Sequence, residues 1–380
     1  DTRIGTQPDA RAARDVELVW FWRQLFISNF FQTLMLYIHR TYCISPQQTF
    51  GQVDLEMIQE PDNKRLLAME PNYEGIPPGV LRRMGRAVRM GVGASLPLIK
   101  EGLPIDGIII GTGKGGMEDC IKFLNQIVQY EEGLLAPGNF VQSTSNAVAA
   151  QVGMMTKNKS YNSTHVHRGH AFENALIDAV MQLNQFPGKN FLLGGLDEIS
   201  DFDYNIEELD GAYKKDPVSN KVLFDVDSAG SIAGEGAAVF LVNDQPADAL
   251  ASIRALHILH SEDEKLVADT FRQFVEKNRN AADTIDFFLS GESGDNRTRK
   301  FYTACESALP ASTPVARFKH LSGEYCTASA FGLWLACRLV QGMALPGHLL
   351  KTPASVSTPQ TILLYNNYKG VQHSFMLLRK

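Results

Sequence analysis

The chain has 380 residues, of which 44% are hydrophobic and 21% charged, and its formal net charge at pH 7 is −6. This length and composition are typical of a globular protein with two domains or one large fold built from two halves. The negative net charge and the lack of a basic stripe argue against nucleic acid as a principal partner. Its five cysteines are scattered and show no metal-type spacing, which favours reduced thiols in the cytoplasm.

The beginning of the chain differs from the rest. The stretch Val16–Ile38 is aromatic and apolar, but polar side chains such as Glu17 and Arg23 interrupt it. We therefore expect no stable membrane insertion. We interpret residues 1–34 as a leader that is non-native or disordered, with the native chain starting at Met35. A peripheral membrane anchor is the alternative interpretation.

Strands and helices alternate after this leader, which predicts an α/β or layered α-β-α fold. Apolar runs predict strands at Leu36–Ile38, Ile105–Ile110, Asn190–Gly194, Ala237–Val242, Ser252–His257, Thr284–Ser290, Thr361–Leu364 and Ser374–Leu378. Helical periodicity predicts helices at Met117–Tyr130, Asn146–Met154, Ala171–Leu183, Asp263–Lys277 and Ala328–Gln341. The same β-α-β rhythm occurs on both sides of a connector at Asp244–Ala249, which suits an internal duplication with halves 35–245 and 250–380.

Two short motifs could in principle hold a phosphate or a metal. The glycine-rich segment Gly111–Gly116 follows a strand and precedes a helix, but it fits neither the Walker nor the dinucleotide pattern. Structural glycines in a tight turn are the favoured interpretation. His165, His167 and His170 have no cysteine or carboxylate partner at a recognised spacing, so we expect no metal and no cofactor.

The segment Ser163–Glu173 lies where a strand should turn sharply into a helix. This is the geometry of a nucleophile elbow, in which a strained backbone presents one side chain to a pocket. The residue at the apex would be Val166. A valine can fill a pocket, but it has no lone pair with which to attack a substrate.

Several glycine-containing motifs become specific only when they are taken together and in order. They are Gly111–Gly116, Pro137 with Gln142–Asn146, Ser163–Gly169, Gly194–Gly195, Gly234–Ala237, Ser290–Gly291, Lys319–Gly323 and the loop near Gly370. This series resembles the β-ketoacyl-acyl-carrier-protein synthase family over nearly all of residues 35–380. The resemblance implies a thiolase-like, duplicated α-β-α-β-α fold with two five-stranded mixed sheets. It also implies a dimer in which the strands beside the elbow pair across the two-fold axis.

Active members of this family use one cysteine and two histidines to transfer and condense acyl groups. The resemblance places these positions at Val166, Ser290 and Glu324, so none of the three catalytic side chains is present. Lys319 is retained, and its spacing suggests a salt bridge to Glu324. A carboxylate at position 324 would repel the negative charge that develops during the reaction. The glycine-rich gate of the family becomes Asn367–Gly370, which has fewer glycines.

We therefore interpret the chain as a catalytically silent homologue. It resembles the chain-length-factor subunits of type II polyketide, aryl-polyene and flexirubin-type systems. The resemblance implies three partners: an active ketosynthase, an acyl carrier protein and the growing acyl or polyene chain. We predict that the substrate tunnel is lined by Phe123, Leu124, Ile127, Phe140, Val141 and Tyr368. Ordinary core packing accounts equally well for each residue taken singly.

Two alternatives remain open at this point. The chain could be a divergent ketosynthase or acyltransferase with a displaced nucleophile such as Cys326 or Ser163, which predicts covalent acylation of the isolated protein. It could also be a homodimeric scaffold that holds a carrier protein or a free acyl chain. The arginines of the segment 82–89 could supply a basic patch for an acidic carrier protein, or they could form a solvated helix face.

Overall fold

The structure is a computed structural model that describes residues 35–133, 135, 137–278, 285–353 and 358–380. The predicted leader, residues 1–34, lies outside the described residues. Thr284, where a strand is expected to begin, also lies outside them. In the described part of the chain, no helix is both long and apolar enough to span a membrane.

The strands fall close to the positions that the apolar runs predict. Their bounds are β1 (Leu36–Ile44), β2 (Arg65–Leu66), β3 (Gly107–Thr112), β4 (Tyr161–Val166), β5 (Phe191–Asp197), β6 (Ala233–Gly234), β7 (Gly236–Asn243), β8 (Ala251–His260), β9 (Phe287–Ser290), β10 (Val315–Arg317), β11 (Thr361–Tyr368) and β12 (Gln372–Arg379). The short strands β2 and β6 pair with each other, and the other ten form a mixed sheet in the order β10-β9-β11-β12-β8-β1-β7-β5-β3-β4.

This sheet consists of two sets of five strands with identical topology. Numbered along the chain within each set, the strands β1, β3, β4, β5, β7 and the strands β8 to β12 both lie in the order 3-2-4-5-1. In both sets the second strand pairs in parallel with the third and the fourth strands. The fifth strand pairs antiparallel with the fourth and the first strands. The predicted duplicated fold with two five-stranded mixed units is confirmed. The predicted boundary near residues 245–250 falls between β7 and β8.

The two five-stranded units are joined rather than separate, which differs from the predicted pair of sheets. The start of β1 pairs with the start of β8, over Leu36–Ile38 and Ala251–Ile253. The first strand of each unit would otherwise leave unpaired backbone N–H and C=O groups at an inner edge. The short ladder satisfies these groups and makes one continuous sheet.

The helices cover the sheet in layers. Their bounds are α1 (Pro78–Leu81), α2 (Arg86–Lys100), α3 (Met117–Gln129), α4 (Pro137–Gln142), α5 (Ala147–Thr156), α6 (Ala171–Gln185), α7 (Asp201–Leu209), α8 (Glu264–Asn278), α9 (Arg299–Glu306), α10 (Lys319–Ser322) and α11 (Ala328–Val340). The helix α11 is buried at every position except Arg338 and packs against strands of both five-stranded units. A helix that is apolar on all faces must be enclosed, so α11 belongs to a middle layer between the units.

Each five-stranded unit has its own core on its outer side. In the first, α2 and α5 pack on the sheet through residues such as Met90 and Val152. In the second, α8 and α9 enclose an aromatic cluster in which the Phe271 and Phe375 ring centroids are 5.3 Å apart. The glycine Gly195 lies where α6 and α11 meet, since a Cβ placed on it would lie 2.6 Å from that of Ala330 and 2.8 Å from the Phe172 ring. The fold is therefore an α-β-α-β-α arrangement.

Buried histidines predict that the fold loses stability in acid. Burial lowers the pKa of His320 from 6.5 to about 3, with smaller contributions from His348 and Arg317, and burial also lowers the pKa of His170 to about 4. These neutral histidines stabilise the fold fully above pH 6.5. Below pH 6.5 the histidines of the unfolded chain bind protons while those of the folded chain do not, so the folded state loses stability. The loss continues until the pH reaches the lowered pKa values of the folded state. Each histidine contributes about 1.4 kcal/mol per pH unit in that window.

Thermal melting between pH 7.5 and 4.5 should therefore show a shallower decline for His320→Gln than for the wild type. His260→Gln, at an exposed position, is the matched control and should follow the wild-type slope. Equal slopes for all three proteins would contradict this account of His320.

Candidate functional site

A buried carboxylate ties the glycine-rich loop to the segment that carries position 324. Asp197 lies at the end of β5, and its Oδ1 accepts hydrogen bonds from Thr112 Oγ1 (3.0 Å) and from the backbone N–H groups of Gly113 (2.7 Å) and Lys114 (3.3 Å). Its Oδ2 accepts from the backbone N–H (2.9 Å) and hydroxyl (2.8 Å) of Thr327. Burial raises the pKa of Asp197, whereas the hydrogen bonds oppose this shift. The amides of the loop are thus used by a protein carboxylate, which agrees with the structural interpretation of its glycines.

This packing requires the glycine at position 113. A Cβ placed on Gly113 would lie 2.2 Å from the Cβ of Cys326 and 2.4 Å from its Sγ. Contacts this short do not occur between folded side chains, so another residue here would displace Cys326. Asp197 lies two residues beyond the Gly194–Gly195 motif, and the sequence analysis did not identify it. A carboxylate that ends an otherwise apolar buried strand is the signal that could have identified it.

Lys319 and Glu324 form the salt bridge that their spacing suggests. The Lys319 Nζ lies 2.9 Å from Oε1 and 2.7 Å from Oε2 of Glu324, and it donates a third hydrogen bond to the Asn367 carbonyl oxygen at 3.1 Å. The Lys319 side chain is fully buried and that of Glu324 is 14% exposed. Burial raises the pKa of the Glu324 carboxyl, and the ammonium group of Lys319 opposes that shift. Both oxygens of the Glu324 carboxylate therefore accept hydrogen bonds from Lys319, which compensates their charge. Glu324 has no proton with which to donate a hydrogen bond to a ligand.

Glu324 lines a cavity of about 460 Å³ between the glycine-rich loop, α7 and the turn that joins β11 to β12. Cys326 and Tyr368 line it too, as do Lys114 and Lys369. The wall mixes charged side chains with aromatic and other apolar groups. Among the predicted site residues, the structure thus brings Glu324, Tyr368 and the candidate nucleophile Cys326 together.

The elbow is present, but its backbone strain falls two residues beyond the predicted apex. The strand β4 ends at Val166, Arg168 has φ = +48°, and α6 begins at Ala171. Val166 is 51% exposed and is not among the residues that line the cavity. The reason is that β4 is an edge strand, so its end is covered from one side only. Val166 is therefore exposed in the single chain, and its role in a pocket stays a prediction.

The turn that joins β11 to β12 packs directly on the elbow. A Cβ placed on Gly169 would lie 2.3 Å from the Cβ of Tyr368, and the Gly169 N–H donates to Gln372 Oε1 at 2.9 Å. Tyr368 and Cys326 line the same cavity, and Lys319, which binds Glu324, also donates to the Asn367 carbonyl oxygen. The elbow, the β11–β12 turn and the segment 324–327 therefore form one contiguous site even though Val166 is exposed.

The other predicted positions lie apart from the cavity lining. Ser290 is fully buried at the end of β9, where its Oγ accepts a hydrogen bond from the Glu292 N–H at 3.3 Å. Of the predicted tunnel residues, Leu124, Phe140 and Val141 are 53%, 57% and 55% exposed. Phe123 and Ile127 are partly buried on α3, and the Phe123 ring lies 5.3 Å from that of Phe140. These five residues form part of a surface, and their role in a tunnel stays a prediction.

Neither substitute nucleophile has the surroundings that activation needs. Burial raises the pKa of the Cys326 thiol well above its usual value, and Asp197 adds to this shift. A thiol must ionise to attack, so this environment suppresses its reactivity. Ser163 lies on β4 two residues after Tyr161, whose hydroxyl donates to Asp178 Oδ2 at 2.8 Å and is a poor general base.

The three histidines of the elbow bind other protein groups. His165 Nε2 lies 2.7 Å from Asp178 Oδ2, His167 Nδ1 lies 2.8 Å from Asn174 Nδ2, and His170 Nε2 lies 3.1 Å from the His373 carbonyl oxygen. No group of three or more histidine, cysteine or acidic side chains in the described ranges is arranged to hold a metal.

The sequence and fold can now be compared with those of known proteins. Residues 58–233 match the family described as "Beta-ketoacyl synthase, N-terminal domain". This part of the chain is similar to the N-terminal domain of β-ketoacyl synthases. No curated protein matches the chain by sequence.

Solved ketosynthase structures share the fold of the chain. A β-ketoacyl synthase from Burkholderia phymatum STM815 aligns over 92% of this chain and 100% of its own, with a TM-score of 0.72 and 13% identity. The ishigamide ketosynthase/chain length factor aligns over 91% and 99%, with a TM-score of 0.70 and 16% identity. The structure of the ketosynthase ApeO in complex with its chain length factor ApeC, from Xenorhabdus doucetiae, aligns over 91% and 98%, with a TM-score of 0.70 and 13% identity. At these identities the likeness establishes the ketosynthase fold over nearly the whole chain.

The salt bridge at this ketosynthase-like site predicts a distinctive pattern of stabilities. Glu324→Gln or Lys319→Met alone should cost about 3–5 kcal/mol of unfolding free energy, because each leaves a buried charge without its partner. The double variant should be more stable than either single variant. Urea unfolding of the four proteins measures this cycle. Single variants that cost less than about 1 kcal/mol would show that the pair is solvated rather than buried.

Proposed function

We propose that this chain is a non-condensing ketosynthase homologue that acts as a chain-length-factor-like subunit. In this role it heterodimerises with an active β-ketoacyl-acyl-carrier-protein synthase and shapes the tunnel into which the partner's acyl or polyene chain grows. The observation that carries the proposal is the bidentate Lys319–Glu324 salt bridge at a position where an active enzyme needs a neutral donor. A negative carboxylate there would repel the negative charge that develops on the substrate during decarboxylation.

The loss of chemistry extends over all three catalytic positions. Val166 has no nucleophilic atom, Ser290 is buried away from the cavity lining, and Glu324 is bound to Lys319. The remaining thiol of the cavity, Cys326, is held in its protonated form by burial. A chain that keeps the frame of the site without its reactive groups is suited to a supporting subunit better than to a divergent acyltransferase.

A partner surface is available beside the elbow. Within the described part of the chain, the edge strand β4 pairs with β3 alone and all of its residues are at least partly exposed. Its sequence contains no lysine or proline. Such an edge is a template for strand pairing with another chain. Thr164 Oγ1 donates to Asn146 Oδ1 at 2.8 Å, which places the segment after α4 against this strand.

Exposed apolar side chains lie on β4 and on the helices α3 and α4. We define the β4 face as the set Leu124, Val128, Phe140, Val141 and Val166, which are between 51% and 79% exposed. Several large apolar side chains exposed on neighbouring elements are typical of a protein interface. In the proposed heterodimer this face binds the ketosynthase, and Phe140 and Val141 lie where the partner's tunnel can reach them.

The acyl carrier protein is the second proposed partner. Arg86 pairs with Glu235 at 2.5 Å and Arg89 forms a bidentate pair with Glu70 at 2.9 Å, so these two arginines are structural. Arg82 and Arg83 are exposed and line a separate cleft of about 660 Å³. These two side chains are positioned to bind an acidic carrier protein near the heterodimer.

The β4 face can be tested by charge substitution. Val141→Asp should weaken binding of the co-expressed ketosynthase by about 30-fold, because it buries an unpaired carboxylate at an interface. Leu209→Asp, at a 90% exposed position on α7, is the control and should bind normally. Analytical ultracentrifugation of the purified pairs measures the affinity. Equal binding by both variants, or a stable homodimer that ignores the ketosynthase, would favour the scaffold alternative.

The tunnel role predicts a change of product rather than of rate. Phe140→Ala should shift the products of the reconstituted pair towards longer chains by at least one elongation step, because bulk at that position limits growth. Phe202→Ala, on α7 at 44% exposure, should leave the product distribution unchanged. Mass spectrometry of the released products distinguishes the two. If Phe140→Ala forms an intact pair and its products are unchanged, Phe140 does not line the tunnel.

A further inference from the structure

The cleft that Arg82 and Arg83 line has chemistry of its own. Its volume is about 660 Å³, and it lies between the starts of α2 and α3, the helix α4 and the segment that follows β5. We call it the helix-end cleft. The polar groups that matter here are Arg82, Arg83, Asp119 of α3, Gln142 of α4 and Glu198, which follows β5.

The carboxylate of Asp119 has no partner within the described ranges. Its side chain is 9% exposed, and neither oxygen accepts a hydrogen bond from, or forms a salt bridge with, another described residue. Burial raises the pKa of Asp119, and Glu118 adds to this shift, whereas Lys122 and Arg89 oppose it. A buried carboxylate is costly unless its acceptor positions are filled. Those of Asp119 are available to a donor in the cleft.

The backbone beside Asp119 leaves room for its carboxylate. A Cβ placed on Gly85, the residue before α2, would lie 1.7 Å from Asp119 Oδ2. Any larger residue at position 85 would therefore displace the carboxylate. The absence of a side chain at position 85 is thus what allows Asp119 to lie at this place in the cleft wall.

Two further polar side chains line the cleft at the same degree of burial. Gln142 is 9% exposed, and its Oε1 has no hydrogen-bond partner among the described residues. Glu198 is also 9% exposed, but its oxygens accept hydrogen bonds from the N–H groups of Ala87 (3.0 Å) and Glu118 (3.4 Å) in the first turns of α2 and α3. Glu198 therefore has a structural role at two helix ends. The contacts of Asp119 and Gln142 show no such role.

The charges that line the cleft are unevenly compensated. Four of its six basic side chains form ion pairs, which are Arg65–Asp201, Arg86–Glu235, Arg89–Glu70 and Lys122–Glu118. Arg82 and Arg83 are exposed and have no ion-pair partner among the residues that the structure describes. Burial raises the pKa of Glu198 to about 7, and the neighbouring Asp119 adds to this shift. The buried carboxyl groups thus lack a close cation, while two guanidinium groups lack a counter-ion.

We propose that the helix-end cleft binds a small zwitterion, whose ammonium group donates to Asp119 and Gln142 and whose carboxylate pairs with Arg82 and Arg83. An ammonium group has three donors and no acceptor, which matches the free acceptor oxygens. The guanidinium groups repel a ligand that is only cationic, and the buried carboxylate repels one that is only anionic. The ligand belongs to this chain, so the proposal stands independently of the pairing with a ketosynthase. A carrier protein bound at the same two arginines would compete with it.

The test uses the full-length protein and the free zwitterions glycine, β-alanine, γ-aminobutyrate and ε-aminocaproate, in which the two charged groups are increasingly far apart. At least one of them should raise the melting temperature, because a ligand that binds the folded state stabilises it. Isothermal titration calorimetry should then give a saturable isotherm for that compound. Butylammonium and butanoate, which carry one charge each, should do neither at the same concentration.

Variants of the cleft assign the binding to its two ends. Asp119→Asn keeps the shape of the side chain but removes its charge, and it should weaken binding about 10-fold through the loss of a charge-assisted hydrogen bond. Arg83→Gln lies at an exposed position, so it does not endanger folding, and it should weaken binding by a similar factor. Asp248→Asn, at an exposed position outside the cleft lining, is the matched control and should bind as the wild type does.

Three results would overturn the proposal. The first is that none of the four zwitterions stabilises the wild type. The second is equal affinity in the wild type, Asp119→Asn and Arg83→Gln, which would place binding elsewhere. The third is stabilisation by butylammonium or by butanoate as strong as that by the best zwitterion, which would show that one charged end suffices.

Discussion

The carboxylate of Asp197 is the constraint on which the geometry of the site depends. It accepts five hydrogen bonds within 3.3 Å, three from the glycine-rich loop of the first half and two from Thr327 of the second. A buried carboxylate is costly unless its acceptor sites are filled, and here the two halves of the fold fill them together. The cavity wall, the position of Cys326 and the start of α11 all follow from this junction.

The site keeps its frame while its reactive groups are replaced. The elbow turn with Arg168 at positive φ, the tight glycine loop and the buried Lys319 form this frame. Lys319 compensates the charge of Glu324, and Lys369 of the β11–β12 turn pairs with Glu207 of α7. The proposed supporting role draws on the first of these ion pairs.

Much of this architecture could be predicted from the sequence, because apolar periodicity defines buried strands and helices. The helix Met117–Gln129 and the strand Phe191–Asp197 lie where their patterns predict them. The joining of the two units through Leu36–Ile38 could not be predicted, since it depends on a pairing between strands more than 200 residues apart in the chain. For the same reason the exposure of Val166 was not foreseen: whether an edge strand is covered depends on its neighbours in space.

The site was predictable only where its residues are close in sequence. The Lys319–Glu324 contact follows from a five-residue spacing. By contrast, the ion pairs of Glu207 join it to Lys114 and Lys369, and the hydrogen bonds of Asp197 join it to positions 113 and 327. Such long-range polar contacts leave no periodic signal in the sequence. They become visible only when the fold brings the segments together.

The central claim is that this chain performs no acyl transfer of its own. Intact-mass spectrometry tests it most directly, with the protein incubated alone and with its candidate ketosynthase in the presence of acyl- and malonyl-carrier protein. The account predicts an unmodified mass for this chain in both mixtures, with acylation and elongation confined to the ketosynthase. An acyl adduct on this chain, at Cys326 or at any other residue, would contradict it.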